Sequence, residues 1–113
     1  MKMSIGINTA FVIAAILLMS ATSPSIAGGS RLGVVKCGDW VNERNARTAT
    51  PYEFWVLGYL SGLSVASGVT FLPGTTPASI ELWMDNYCRN NPLDSIGVAG
   101  DALASELIKR SRK

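Results

Sequence analysis

The side chains that could do chemistry in this sequence of 113 residues are two cysteines and eight carboxylates, and histidine is absent. Without histidine, neither a Ser–His–Asp or Cys–His nucleophilic site nor a histidine zinc site can be assembled. Two cysteines are too few for a thiolate metal site, and Cys37 and Cys88 lack CxxC spacing. Gly58, Gly62 and Gly68 are not followed by the Lys-Ser/Thr pair of a phosphate-binding loop.

Carboxylates remain as candidates, because a pair of them suffices for glycoside hydrolysis. Glu53, Glu81, Asp85 and Asp94 each have a simpler explanation, as a helix cap or as part of a solvent-facing helix surface. We therefore expect a protein that is not an enzyme and that has no metal and no cofactor.

Cys37 and Cys88 are expected to pair if the chain is exported, since cysteines form disulfides in oxidising compartments. Two cysteines allow one intramolecular connectivity. The chain-entropy model values the closed loop of about 50 residues at about 4 kcal/mol. An intermolecular bridge and two free thiols are the alternatives. We predict a Cys37–Cys88 disulfide that staples a small domain.

The first 27 residues have the order of a secretory signal peptide. Lys2 supplies a positive charge, residues 10–19 (AFVIAAILLM) form an apolar run, and Ser25-Ile26-Ala27 ends in the small-x-small pattern of a cleavage site. The run is shorter than the roughly 20 apolar residues of a membrane span. An uncleaved anchor or a buried helix is the alternative. We predict a signal peptide over 1–27, a periplasmic location and no stable membrane span after cleavage.

Cleavage after Ala27 would leave 86 residues with nine basic and eight acidic side chains. This near-neutral balance gives no reason to expect nucleic-acid binding. Four of the basic residues cluster in residues 109–113 (KRSRK). Cations suit the C-terminal end of a helix dipole, and a dedicated binding patch is the alternative. A chain this short holds one domain with a modest core, which a disulfide would support.

The helical pattern begins after residues 28–36 (GGSRLGVVK), whose glycines predict a flexible N-terminal arm. Cys37, Trp40 and Val41 have helical spacing and predict a short first helix. The helical domain would therefore cover residues 37–113.

Three longer helices each follow a proline start, at Thr50-Pro51, Thr76-Pro77 and Asn91-Pro92. In each, the residue before proline fits the N-cap and proline fits the first helical position. Glu53 lies where it would complete a capping box with Thr50, and Gly68 would end that helix.

The clearest apolar stripe joins Ile80, Met84 and Cys88 at helical spacing, which turns Cys88 toward the core. Gly58 and Gly62, four residues apart, predict that another backbone packs closely against the second helix. The segments together predict an all-α, bundle-like domain of three main helices plus a short N-terminal helix, with one disulfide. The last helix is expected to bury a stripe that includes Leu93, Ile96, Gly100, Leu103 and Leu107.

Aromatic side chains are frequent, and most of them fit a core around the disulfide. The alternative is that Tyr52, Trp55 or Phe71 lies on an exposed patch and anchors a protein partner. These three are the candidate partner-binding residues.

The order of these parts resembles the HdeA/HdeB group of small periplasmic acid-stress chaperones. The matching pieces are Cys37-Gly38-Asp39-Trp40, residues 58–62 (GYLSG) and Asn86-Tyr87-Cys88. The resemblance implies an all-helical fold with one disulfide of similar span, and a chaperone function. Periplasmic immunity proteins of contact-dependent antibacterial systems resemble the same pattern, as do secreted proteins with a Tyr-Cys-x-x-Asn-Pro-Leu segment, here residues 87–93.

Two function hypotheses follow. One is a periplasmic acid-stress chaperone-like protein that binds unfolded clients when its core loosens. The other is a dedicated protein partner, such as an immunity or inhibitor protein or an accessory of a secretion or conjugation system. Neither needs nucleic acid, and a homodimer stays open under both.

Overall fold

Four helices account for most of the chain that the structure, a computed structural model, describes, which is residues 30–113. In this part there is no strand, and an isolated antiparallel bridge joins Lys36 to Ser95. The predicted all-α class is confirmed. The predicted signal peptide, residues 1–27, lies outside the described residues. The helices are α1 (Cys37–Ala46), α2 (Thr50–Ser67), α3 (Pro77–Asn90) and α4 (Ile96–Ser111).

The start of α1 is completed by the turn that precedes α4. No side chain caps this helix. Instead the N–H of Cys37 donates to the carbonyl of Asp94 at 2.7 Å, and the N–H of Gly38 donates to the carbonyl of Pro92 at 3.0 Å. The first N–H groups of a helix have no partner within it, so the turn acts as the cap of α1.

The predicted Cys37–Cys88 disulfide is confirmed, and it joins the first turn of α1 to the end of α3. Both cysteines are fully buried. Met84 and Ile80, one and two turns before Cys88, are buried as the apolar stripe predicts. The bond closes a loop that contains α1, α2 and most of α3, and it leaves α4 outside that loop.

The N-cap of α2 is Ala49, so the prediction of Thr50 as the cap is wrong. Glu53 does not complete a capping box, because its carboxylate pairs with Arg44 Nη1 at 2.6 Å. Pro51 supplies a fixed φ in the first turn. The helix ends as predicted at Gly68, whose φ of 67° is left-handed.

α3 begins as predicted. The N–H of Ser79 donates to the hydroxyl of Thr76 at 3.1 Å, and the N–H of Thr76 donates to the hydroxyl of Ser79 at 2.9 Å. This reciprocal pair is a capping box with serine at the third position.

α4 does not begin at Asn91-Pro92. Its N-cap is Ser95, whose hydroxyl accepts the N–H of Val98 at 3.2 Å. The carbonyls of the preceding turn serve α1 instead, which keeps that turn out of the helix. Leu93 is consequently 85% exposed, so its predicted place in the buried stripe is wrong.

The core lies where the four helices meet. α3 packs against α1 and α4, while α2 packs mainly against α4. Gly100 permits the contact with α2, since a Cβ there would lie 3.0 Å from the ring of Tyr59. No helix within residues 30–113 is long and apolar enough to cross a bilayer. The buried core residues are Cys37, Trp40, Val56, Leu60, Phe71, Ile80, Met84, Cys88, Ile96, Ala99, Leu103 and Ala104.

Gly58 and Gly62 do not pack against another backbone of the described chain. Both are exposed, and a Cβ added at either position would meet no atom within 4 Å. The predicted close packing at these glycines is therefore wrong for this part of the chain. Glycine inside a helix costs about 1 kcal/mol relative to alanine, and no intramolecular contact here offsets that cost.

Residues 31–36, which belong to the predicted flexible arm, make specific contacts with the helices. Trp55 Nε1 donates to the carbonyl of Leu32 at 2.6 Å, and the N–H of Ile96 donates to the carbonyl of Val35 at 3.0 Å. Gly33 has a φ of 74°, and a Cβ there would lie 3.1 Å from the Trp55 ring. These contacts fix the course of the arm.

Thr76→Ala and Thr50→Ala form a matched pair that tests the two helix starts. Thr76→Ala removes the hydroxyl that accepts the Ser79 N–H, so we expect the free energy of unfolding to fall by about 1 kcal/mol. Thr50→Ala removes no capping bond, and we expect a change within about 0.5 kcal/mol. Urea unfolding followed by circular dichroism measures both. Equal losses would contradict the observed capping.

Candidate functional site

Four aromatic side chains donate hydrogen bonds to carboxylates in the described domain. A hydrogen bond to an ionised acceptor is stronger than one between neutral groups. We call these contacts the aromatic–carboxylate pairs and treat them as the candidate site. They are Trp40 to Asp85 at 2.8 Å, Tyr59 to Asp101 at 2.5 Å, Trp83 to Glu106 at 3.2 Å and Tyr87 to Asp94 at 2.7 Å.

One of the pairs belongs to a charged cluster centred on Arg44 of α1. Arg44 Nε and Nη2 each lie 3.0 Å from an oxygen of Asp85, so this ion pair is bidentate. Arg44 Nη1 lies 2.6 Å from Glu53 and 3.5 Å from Glu81. The guanidinium carbon lies 5.8 Å from the ring centroid of Trp40. One side chain therefore joins α1, α2 and α3.

Asp85 is the buried carboxylate of the cluster, with 8% exposure. Burial alone would raise the pKa of Asp85, but the hydrogen bonds from Arg44 and Trp40 outweigh burial and hold the pKa below its usual value. The hydrogen bond to Asp85 in turn raises the pKa of Arg44. Both groups are charged at neutral pH, and loss of either would leave the other without its main partner.

The pKa of Glu81 shifts in the opposite direction from that of Asp85. Burial, and then the charge of Glu53, raise the pKa of Glu81 above its ordinary value even though Arg44 lies nearby. Three carboxylates share one guanidinium, so this cluster has excess negative charge at neutral pH. No group of His, Cys, Asp and Glu side chains within residues 30–113 has an arrangement that could hold a metal ion.

A second cluster joins the arm to α2 and α4. Arg31 Nε donates to the hydroxyl of Tyr59 at 2.9 Å, and its Nη2 lies 2.5 Å from Asp101. The Tyr59 ring stacks on Trp55 with centroids 5.0 Å apart. Burial, and then the hydrogen bond to Asp101, raise the pKa of Tyr59, so the hydroxyl keeps its proton. The arm therefore covers a stacked aromatic pair.

Trp83 and Tyr87 form a second stacked pair, on α3, with centroids 5.3 Å apart. Their carboxylate partners lie on α4 and in the turn before it. These two hydrogen bonds therefore link α3 to α4 and to that turn. Glu106 also pairs with Arg110. The hydrogen bonds from Arg110 and Trp83 lower the pKa of Glu106. The ionised carboxylate of Glu106 therefore helps to hold α4 against α3.

In comparisons with known proteins, no family model, no curated protein and no solved structure matches this chain. The resemblance to the HdeA/HdeB group rests on the short motifs of the sequence. The function is therefore argued from the geometry of the domain.

The residues predicted as partner anchors lie in different surroundings. Phe71 is 3% exposed and belongs to the core, so it does not lie on an exposed patch. Tyr52 and Trp55 are partly buried against the core, and the arm contacts Trp55. Their role in partner binding stays a prediction. The large apolar side chains that are exposed include Phe54 at 70% and Val65 at 84%.

The charged cluster was missed by sequence reasoning, which assigned Glu53 to a cap and Glu81 and Asp85 to a solvent-facing surface. One signal was present: Asp85 precedes Cys88 by three residues and follows Glu81 by four, so both carboxylates border the buried stripe. Arg44 had no comparable signal, because all its carboxylate partners lie on other helices.

The sign of the acid response follows from these shifts. Asp85 and Glu106 have lowered pKa values, so their stabilising effect is present above the unfolded pKa and is lost as pH falls through the lower, folded pKa of each group. Glu81 has a raised pKa, so its protonation, which comes at a higher pH, stabilises the fold. We infer that the free energy of unfolding changes little from neutral pH to about 4.5 and then falls.

Asp85→Asn tests this response. At pH 7 we expect the free energy of unfolding to fall by about 1–3 kcal/mol, because Arg44 and Trp40 lose an ionised acceptor. The difference from the parent should shrink as pH falls through the lowered pKa of Asp85, because the parent then loses the ionised acceptor as well. Asp39→Asn, at an exposed carboxylate of α1, is the control and should change stability by less than about 1 kcal/mol. Urea titrations at several pH values give these differences. If the difference in the free energy of unfolding between variant and parent is the same at every pH, Asp85 is not the ionised acceptor described here.

Proposed function

We propose that this chain is a small exported protein without enzymatic activity that binds other proteins, and that acid frees its binding surface, as in an acid-stress chaperone. The observation that carries the proposal is the set of four aromatic–carboxylate pairs. Each pair fixes a large aromatic side chain through a group that acid neutralises. The signal-peptide pattern supports export, and the disulfide agrees with an oxidising compartment.

Acid would act on all the pairs together. Residues 30–113 contain eight carboxylates and nine basic side chains, so full protonation moves the side-chain charge from about +1 toward about +9. A protonated carboxyl is a weaker acceptor than a carboxylate. Weaker pairs and mutual repulsion of the cations both favour a looser state.

The position of the disulfide indicates which helix would separate. α1 and α3 stay joined through Cys37 and Cys88. α4 lies outside the closed loop, and Glu106 and Asp101 are its carboxylates in the pairs. Separation of α4 would expose the stacked Trp55 and Tyr59 together with Trp83 and apolar core residues. Such a surface suits unfolded clients, whose apolar segments have no fixed sequence.

The test uses the purified, disulfide-bonded protein and an unrelated protein that aggregates in acid. Between about pH 4 and 2 we expect tryptophan fluorescence to report exposure and light scattering of the client to fall. A double variant, Asp101→Asn with Glu106→Gln, replaces two carboxylates by neutral amides and should move the onset of protection to higher pH. Asp39→Asn is the control and should leave the onset in place.

A domain that stays closed at pH 2, or that opens without protecting any client, would refute the chaperone proposal. If protection of the client begins at the same pH in the parent and in the double variant, the role of the aromatic–carboxylate pairs is refuted.

A dedicated partner is the second candidate function, and the outward face of α2 favours it. The exposed residues of this helix include no charged side chain, and its one charged residue, Glu53, turns inward to Arg44. Phe54 and Val65 are largely exposed on this face at neutral pH. Exposed apolar side chains beside the exposed Gly58 and Gly62 are typical of a preformed protein interface. The partner would be one protein, such as a toxin held by an immunity protein or a component of a secretion or conjugation system.

Phe54→Asp tests this candidate at neutral pH. If the α2 face binds one partner, the parent should retain one periplasmic protein in stoichiometric amount, and Phe54→Asp should lose it, because a charge at the centre of an apolar interface is costly. Leu93→Asp changes a leucine in the turn before α4 that is even more exposed than Phe54, and this variant should retain the partner. Affinity purification with mass spectrometry gives the stoichiometry, and sedimentation of the parent alone identifies self-association. Equal retention by both variants would refute the role of this face.

A further inference from the structure

A groove between α3 and α4 is separate from the aromatic–carboxylate pairs that involve the arm and α1. It encloses about 360 Å³ below the loop that joins α2 to α3. This volume lies at the lower end of the range for small-molecule sites. Its size favours a single small molecule over a folded segment of another chain.

The inside of the groove is apolar. Phe71, Ile80 and Leu103 line it and are almost fully buried, with exposures of 3%, 6% and 3%. Trp83 and Leu107 add partly buried walls. Transfer of an apolar group from water onto such a surface is favourable in proportion to the area covered.

The rim of the groove is polar and positively charged at one end. Glu106 lies on the rim, and its charge is balanced by Arg110 and by the indole N–H of Trp83. The Arg110 side chain is 69% exposed, which leaves guanidinium donors free for an added anion. Arg110 and Lys109 are the cations whose charges act on Glu106, so two cations stand beside one carboxylate at this end.

We propose that the groove binds a small amphiphile with an apolar body and an anionic head, of the carboxylate type. The apolar body lies on Phe71, Ile80 and Leu103, and the head lies against Arg110. The excess of positive charge at the mouth selects against an amphiphile with a cationic head. The site shares the Trp83–Glu106 pair with the proposed acid response, but ligand binding at pH 7 does not depend on that response.

The probe is sodium decanoate, with decyltrimethylammonium as a partner of equal chain length and opposite charge, both below micelle formation at pH 7. The three indole N–H signals in proton–nitrogen NMR spectra serve as reporters. We expect decanoate to shift the Trp83 signal in a saturable way, with smaller changes at Trp40 and Trp55. The cationic probe should bind about tenfold more weakly, since a charge-assisted hydrogen bond is lost.

Arg110→Gln should weaken decanoate binding about tenfold for the same reason, and its exposed position keeps the fold intact. Arg89→Gln removes an exposed cation of α3 on the side that faces Arg44, and it should bind decanoate like the parent. The proposal would be overturned if the Trp83 signal does not saturate or if all three indole signals shift equally. It would also be overturned if the two probes bind with equal affinity, or if both variants weaken decanoate binding equally. Binding to anionic phospholipid vesicles without binding to monomeric decanoate would overturn it as well.

Discussion

The buried carboxylate of Asp85 is the constraint on which the arrangement of the first three helices depends. An ionised group with 8% exposure needs partners, and here it has a bidentate arginine and an indole N–H. Arg44 can provide this only if α1 lies along α3, and its remaining nitrogen then attracts Glu53 of α2. The short helix α1 is thus oriented by charge, while the disulfide fixes only one end of it.

The sequence was most informative where a single segment contains its own signal. Thr76 and Ser79 cap α3 from within four residues, Gly68 ends α2 by its own backbone freedom, and the α3 stripe turns Cys88 inward. Each of these features depends on neighbours along the chain. For that reason the helical class and the disulfide could be predicted from one sequence.

The sequence failed where distant segments compete for the same group. Glu53 had a local reason to cap α2, yet Arg44 binds it more strongly than a backbone N–H would. Asn91-Pro92 had a local reason to begin α4, yet the carbonyls of that turn serve α1. The spacing of Gly58 and Gly62 is compatible with close helix packing, but spacing alone does not say whether another segment of the same chain packs against them. The candidate site consists almost wholly of such distant pairs.

The turn before α4 also has a consequence for the order in which the chain can fold. Cys37 and Gly38 precede Asp94 and Pro92, whose carbonyls accept their N–H groups, by more than fifty residues, so synthesis and the proposed export both deliver the start of α1 first. Without Cys88 and the turn before α4, α1 has open N–H groups, no disulfide partner and only ten residues, which is too short for a stable isolated helix. The first helix of the described residues is thus among the last to become stable. Folding of this small helical domain therefore waits on contacts of long sequence separation, and loop closure should limit its rate more than helix formation does.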